Sequence, residues 1–250
     1  MKLLRLGSPI VLVGIAFLLL SLARPQVGNL PSLPSVVPPK QTYTRTQAFF
    51  EQNLGQQPAS VGFTGRWPDY DLLLGRSEIV FKPKAKWIAA EEVSLALPSG
   101  EPNLEIRGEG RLPAVINYYV GSDPRNWHSA VPTFGQVVYR NVFSGVDLLF
   151  YEKEGDAEFD FQVAPGADPR EIRLKLSAPY RFSGGDLLLG SGQCIRIRKP
   201  RAYQIIGDRE REVAADYVIE NDELRVQTGE YDRSRSLLID PSVMYQGYVP

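Results

Sequence analysis

Residues 117–169 constrain the fold more than any other stretch, because strict alternation of apolar and polar side chains is punctuated there by turn residues. In Glu158-Phe-Asp-Phe-Gln-Val163, Phe159, Phe161 and Val163 fall on one side of an extended chain, and Glu158, Asp160 and Gln162 on the other. A period of two suits a strand with one face on a core and one in water, the pattern of antiparallel sheet. The device recurs in Ile172-Arg-Leu-Lys-Leu176, Ile195-Arg-Ile-Arg198 and Leu224-Arg-Val-Gln227. Gly121-Ser-Asp-Pro124, Pro165-Gly166, Ser183-Gly-Gly-Asp186 and Asn221-Asp222 supply turns between such runs. Strands repeating about every eight to twelve residues predict a sandwich or barrel. The expected fold is all-β: a mainly antiparallel β-sandwich, single and compact or bilobal, with little helix. Only residues 87–97 look helical, and Val93, Leu95 and Leu97 let them be read equally as a strand.

The N-terminus carries a different pattern. Lys2 and Arg5 precede an apolar run over residues 10–20, and Ser21-Leu22-Ala23 then places small residues where a signal peptidase reads. The apolar run is shorter than the ~20 residues that span a bilayer. Residues 1–23 are therefore expected to be a signal peptide cleaved near Ala23, with the product secreted or held in the cell envelope. Residues 24–42 follow as a linker in which Pro25, Pro31, Pro34, Pro38 and Pro39 exclude helix and central strand. The β-sandwich domain is expected over residues 43–241, ahead of an apolar tail at 242–250.

Charge and cysteine content narrow the function. With 28 basic and 29 acidic side chains the chain is nearly neutral. It therefore lacks the basic excess with which nucleic-acid binders displace counterions. Cys194 is the only cysteine, so no intramolecular disulfide can form and the fold must rest on its core. Asp71-Leu-Leu-Leu-Gly75 is echoed by Asp186-Leu-Leu-Leu-Gly190, a short likeness that leaves open an internal duplication.

No reaction centre stands out. His128 is the only histidine, beside Ser129, and there is no Gly-x-Ser-x-Gly elbow, so it reads as an exposed loop residue. Asp147, Glu158, Asp160, Asp168 and Asp240 could supply paired carboxylates of a glycosidase. Glu158 and Asp160 share a strand face, but acidic residues on a wet face are also what solubility asks for. Asp123-Pro124 and Asp168-Pro169 read as turns whose carboxylates cap backbone amides. No cysteine–histidine cluster or calcium loop is present. No catalytic, cofactor or metal residue is assigned.

Aromatic residues offer a ligand-binding alternative. Trp67, Trp87 and Trp127 with Tyr118 and Tyr119 could stack on a sugar ring. The opposing expectation, which is preferred, is that Trp67 and Trp127 plug the ends of the sandwich core. Alternation along residues 114–120 puts Tyr118 and Tyr119 on opposite faces, so at most one joins the core. Cys194 is either a partly exposed thiol near Arg196 and Arg198 or is tucked under a turn at a strand start.

Five segments in order carry a family resemblance: residues 50–56, 117–127, 131–151, 158–169, and Lys199-Pro200 with Tyr203-Gln204 ahead of Leu237-Leu-Ile-Asp-Pro241. Together they resemble the uncharacterised β-rich domain that precedes SBBP-type β-propeller repeats in secreted bacterial proteins. The likeness covers about residues 45–245 and implies an exported β domain, with no catalytic residues to transfer. Members of that family usually continue into a propeller, and Tyr245-Gln-Gly-Tyr248 stands where such a repeat would begin. The tail at 242–250 is accordingly expected to be poorly packed. The function expected is a non-catalytic structural or interaction domain, a platform for a cell-surface or secreted β-propeller. The alternative is a carbohydrate-binding module using exposed aromatics, and a glycosidase is the third reading.

Overall fold

A computed structural model describes residues 48–84, 91–98, 103–191 and 195–245. The signal-like segment, the proline-rich linker, Trp87 and Cys194 lie outside the described residues. The chain divides into two units, Met1–Thr42 and Tyr43–Pro250, and every described residue belongs to the second.

Every strand pairing among that unit's described residues is antiparallel. A meander opens it: β1 (Phe50–Gln52), β2 (Val61–Arg66), β3 (Tyr70–Gly75), β4 (Glu78–Pro83) and β5 (Val93–Ala96). Four long strands follow, β6 (Glu105–Tyr118), β7 (His128–Phe143), β8 (Val146–Lys153) and β9 (Asp156–Val163). Next come β10 (Arg173–Leu176), β11 (Tyr180–Ser183), β12 (Asp186–Leu189), β13 (Ile195–Ile197) and β14 (Arg201–Ile206). The last are β15 (Arg209–Val213), β16 (Ala215–Glu220), β17 (Glu223–Thr228), β18 (Leu237–Asp240) and β19 (Ser242–Tyr245). Helix among the described residues is confined to two 3-10 turns, Pro124–Asn126 and Pro169–Glu171. Of the segment with two readings, Val93–Ala96 is strand.

The sheet forks. β6 occupies one edge of β7, while the other edge is shared: residues 136–143 pair with β8, and Thr133 and Phe134 pair with β1. Gly135 stands at the division. One arm runs from β1 through β2, β3, β4 and β5 to β10, β17 and β16. The other runs through β8 to β9, which divides in turn, residues 161–163 pairing with β18 and residues 157–158 with β19. From there β18 leads to β14 and β15, and β19 to β13, β12 and β11. The two arms enclose one core. Phe50, Leu72, Phe81 and Leu95 of the first share a buried cluster with Leu148, Phe161, Ile197 and Ile239 of the second. From β7 the Tyr139 hydroxyl donates to the Gly75 carbonyl of β3 at 2.9 Å. The expected all-β antiparallel architecture is present, with both faces of its core drawn from one branched sheet.

Local chemistry explains the turns. Asn221 and Asp222 join β16 to β17 with φ of 53° and 62°, and Gly184 and Gly185 join β11 to β12 at 64° and 92°. Two successive residues with positive φ form the hairpin turn whose twist matches that of the flanking strands. Asp71-Leu-Leu-Leu-Gly75 and its echo are likewise strands, β3 and β12, and in each the aspartate pairs with an arginine of the neighbouring strand, Arg66 or Arg196.

One expectation is corrected. Residues 242–245 are not a loose tail: β19 lies between β9 and β13, and Val243 is buried in the core. Proline at 241 does end β18, because it has no amide hydrogen. However, the chain resumes pairing one residue later on the other branch of the fork. Residues 246–250 lie outside the described residues.

Candidate functional site

β6 and β7 outrun the sheet. β8 pairs with β7 no further towards its N-terminus than Gln136, and β1 reaches only Thr133, so the strands at the end of this hairpin pair only with each other, as a two-stranded ribbon. At its tip Tyr119, Val120 and Trp127 are 63%, 67% and 42% exposed. The two rings meet edge to face, centroids 5.4 Å apart and planes at 79°. The loop between them is built by Asp123. Its carboxylate accepts the Arg125 amide at 3.0 Å, capping the 3-10 turn, and takes the Arg125 guanidinium through both oxygens. Its pKa is held below the usual carboxylate range by Arg125. Trp127 is fixed from two sides, its backbone amide on the Pro124 carbonyl and its indole N–H on the Gly121 carbonyl at 3.2 Å. The Asn117 side chain accepts the amide of Ala130, which has φ of 56°. The aromatic pair is therefore presented by a closed hydrogen-bonded loop.

Tyr118, the last residue of β6, points the other way and ties this end of the hairpin to β1 and β2. Its hydroxyl donates to Glu51 Oε2 and accepts from Arg66 Nη2 at 2.9 Å. Glu51 is buried at 3% exposure, and Arg66 bridges it (3.2 Å) and Asp71 (2.7 Å). Lys84 pairs with Asp71 and also donates to the Trp67 carbonyl. Burial works against the Arg66 charge, but Glu51 and Asp71 outweigh it and its pKa lies above the ordinary value. Burial, then Glu51, raises the Tyr118 phenol. A buried carboxylate is tolerated only with such compensation. Nearby, His128 opens β7, and its ring lies over Gly55, where a Cβ would come within 2.7 Å of Cε1. Asn53 organises that loop, donating to the Val61 carbonyl and accepting from the Gly55 amide.

Of the candidate carboxylates, Asp147 and Asp168 stand apart, each with its own arginine, while Glu158, Asp160 and Asp240 lie together. Asp147 takes Arg140 at 2.6 Å and caps the Asn141 amide. Asp168 repeats the Asp123 arrangement with Arg170, which holds its pKa down at about 2. Glu158 and Asp160 share the Tyr151 hydroxyl at 3.2 and 3.0 Å, and Lys153 pairs with Glu158 at 3.1 Å. Burial, with Asp240 and Glu158 nearby, raises Asp160 to about 6. Glu158 is itself buried, against the expectation of a wet-face residue, because Tyr151 and Lys153 cover it. A groove of about 790 Å³ lies elsewhere, between the Pro169–Glu171 turn and β16–β17, and is lined by Arg170, Arg225, Tyr231 and Arg233 among others. No group of three histidine, cysteine, aspartate or glutamate residues fit to hold a metal occurs among the described residues.

A family model described as a domain of unknown function, DUF7948, matches residues 50–242. The chain belongs to the DUF7948 family. No match was found among curated proteins or among solved structures.

Within the DUF7948 domain the four described aromatic candidates separate. Trp67 is core, 3% exposed and stacked on Tyr70 with centroids 5.4 Å apart and planes at 4°. Trp127, expected to plug the core, is instead at the exposed tip, since its segment lies beyond the last strand that could cover it. Tyr118 and Tyr119 do face opposite ways, yet neither enters the core: one goes to the Glu51–Arg66 network, the other to Trp127. His128 is a half-buried strand residue rather than an exposed loop residue. The caps predicted at Asp123 and Asp168 are formed. Missed by sequence reading were Glu51, Arg66, Asp71 and Lys84 around Tyr118, and Tyr151 and Lys153 around Glu158. The pairing of Arg66 with Asp71 across the Trp67–Tyr70 turn was the one local signal available.

Proposed function

We propose that this DUF7948 domain is an exported, non-catalytic interaction module that serves as a platform for a cell-surface or secreted β-propeller. One observation carries the reading: the exposed Tyr119–Trp127 pair at the tip of the β6–β7 hairpin. Large aromatics held rigidly in water are costly to keep exposed and are the side chains that dominate protein contacts once covered. The N-terminal basic and apolar pattern supports export. Against hydrolysis, Glu158 and Asp160 are bound to one tyrosine, and neither lines the groove.

The second reading, carbohydrate binding, rests on the same pair. Its near-perpendicular rings give a sugar one stacking face rather than a flat platform, which favours the protein partner. A photo-reactive residue at position 127, placed in cells making the full chain, tests the proposal. Cross-linking to a propeller-bearing polypeptide, lost with Tyr119→Ala, is expected. Saturable glycan-array binding that disappears in Trp127→Ala, without that cross-link, would establish the carbohydrate reading instead.

A further inference from the structure

Among the described residues every register partner of β6 lies in β7, so the backbone amides and carbonyls along its outer edge are left for another strand. Exposed edges invite pairing, and natural sheets commonly guard them with charge. Here the charges have an order that guarding alone does not require. Glu105, Arg107, Glu109 and Arg111 alternate in sign along one face, and the series inverts about Gly108. Set antiparallel against itself with Gly108 on a two-fold axis, the segment places Glu105 opposite Arg111 and Arg107 opposite Glu109, twice each. Opposite charges directly across an antiparallel pair stabilise it, and like charges destabilise it.

We propose that β6 is a self-association edge, through which two copies of the chain join their sheets about a two-fold axis at Gly108. The inference rests on β6 and is independent of the aromatic tip. Residues 105–109 and Arg111 pair with β7 in one register, with Gly110 at φ of 64° between them, and the register first shifts between Arg111 and Val115, where Pro113 intervenes. The regular edge therefore runs over residues 105–109, and Arg111 keeps the same register beyond the glycine. Gly108 leaves the axis clear. The Phe134 ring, half-buried, covers its other face so closely that a Cβ there would lie 2.4 Å from the ring. Arg107 already contacts Glu109 at 2.9 Å and Glu105 at 3.8 Å, so a second copy extends this line into a ladder of alternating charge. The contact is isologous and closes at two copies, and its small area makes it a weak dimer.

Sedimentation equilibrium of the full chain and two charge-reversed variants, Glu105→Arg and Arg111→Glu, decides the matter. The native chain should dimerise, and each variant alone, placing like charges opposite each other twice, should associate about tenfold more weakly. An equimolar mixture of the two should recover native affinity, because every cross-strand pair is then opposite in sign. The double variant should dimerise like the native chain, and far-UV spectra check that all are folded. A native chain still monomeric at about 1 mM, where even an association worth only about 4 kcal/mol would show, overturns the proposal. So do variants that associate as the native chain does, or a mixture that gains nothing.

Discussion

Asp160 shows how one carboxylate can tie stability to pH. Burial and the neighbouring Asp240 raise it to about 6 from an ordinary 3.8. The folded state thus holds this proton more tightly than the unfolded chain, so stability rises as pH falls from about 6 towards 3.8. Above that window the ionised group is a net cost. Asp160→Asn, which still offers Tyr151 an acceptor, should be more stable than the native chain at alkaline pH by of order 1 kcal/mol, allowing for solvent screening. The advantage should vanish near pH 4, and an offset equal at both ends of a melting series would refute the assignment. The two described tryptophans make the complementary point. Trp67→Ala opens the core beside Phe50 and Tyr70 and should cost roughly 3–5 kcal/mol. Trp127→Ala should cost less than about 1 kcal/mol in denaturant melts, because the side chain is largely in water. Sequence alone named both residues but assigned them one environment; exposure depends on which strand ends where.

At the scale of elements, the strands were legible and their partners were not. Phe159, Phe161 and Val163 are buried as their spacing predicts, and Leu224 and Val226 likewise. Asn221-Asp222 and Gly184-Gly185 announced hairpins because few residues tolerate the left-handed backbone those turns need. β19 was misread, since an apolar segment after a proline looks the same whether it is inserted between strands or left over. Its position implies a test. Deleting residues 242–250 removes Val243 from the core and unpairs β9 from β13, so the loss should be about 3 kcal/mol or more. Thermal melts should fall by roughly 2–4 °C for each kcal/mol, and an unchanged midpoint would mean that β19 contributes nothing.

For the whole molecule, the fork at β7 decides cooperativity. Both arms of the sheet grow from the same strand and bury side chains in the same cluster. Neither arm can melt without exposing the other's half of the core. Tryptophan fluorescence, in which buried Trp67 reports on the first arm, and far-UV circular dichroism should therefore trace one coincident transition. Two separated transitions would instead favour the bilobal arrangement and revive an internal duplication. The sequence by itself determined the all-β class, the alternation that gives each strand its inner face, the turn chemistry and the aspartate caps. All of these depend on residues close together in the chain. Only the tertiary structure decided the branching of the sheet, the enclosure of Glu51 by Arg66 and Tyr118, and the exposure of Trp127 on a ribbon no other strand covers. Those features arise from pairings between segments far apart in sequence, and alternation sets which face of a strand is apolar without specifying which strand lies beside it.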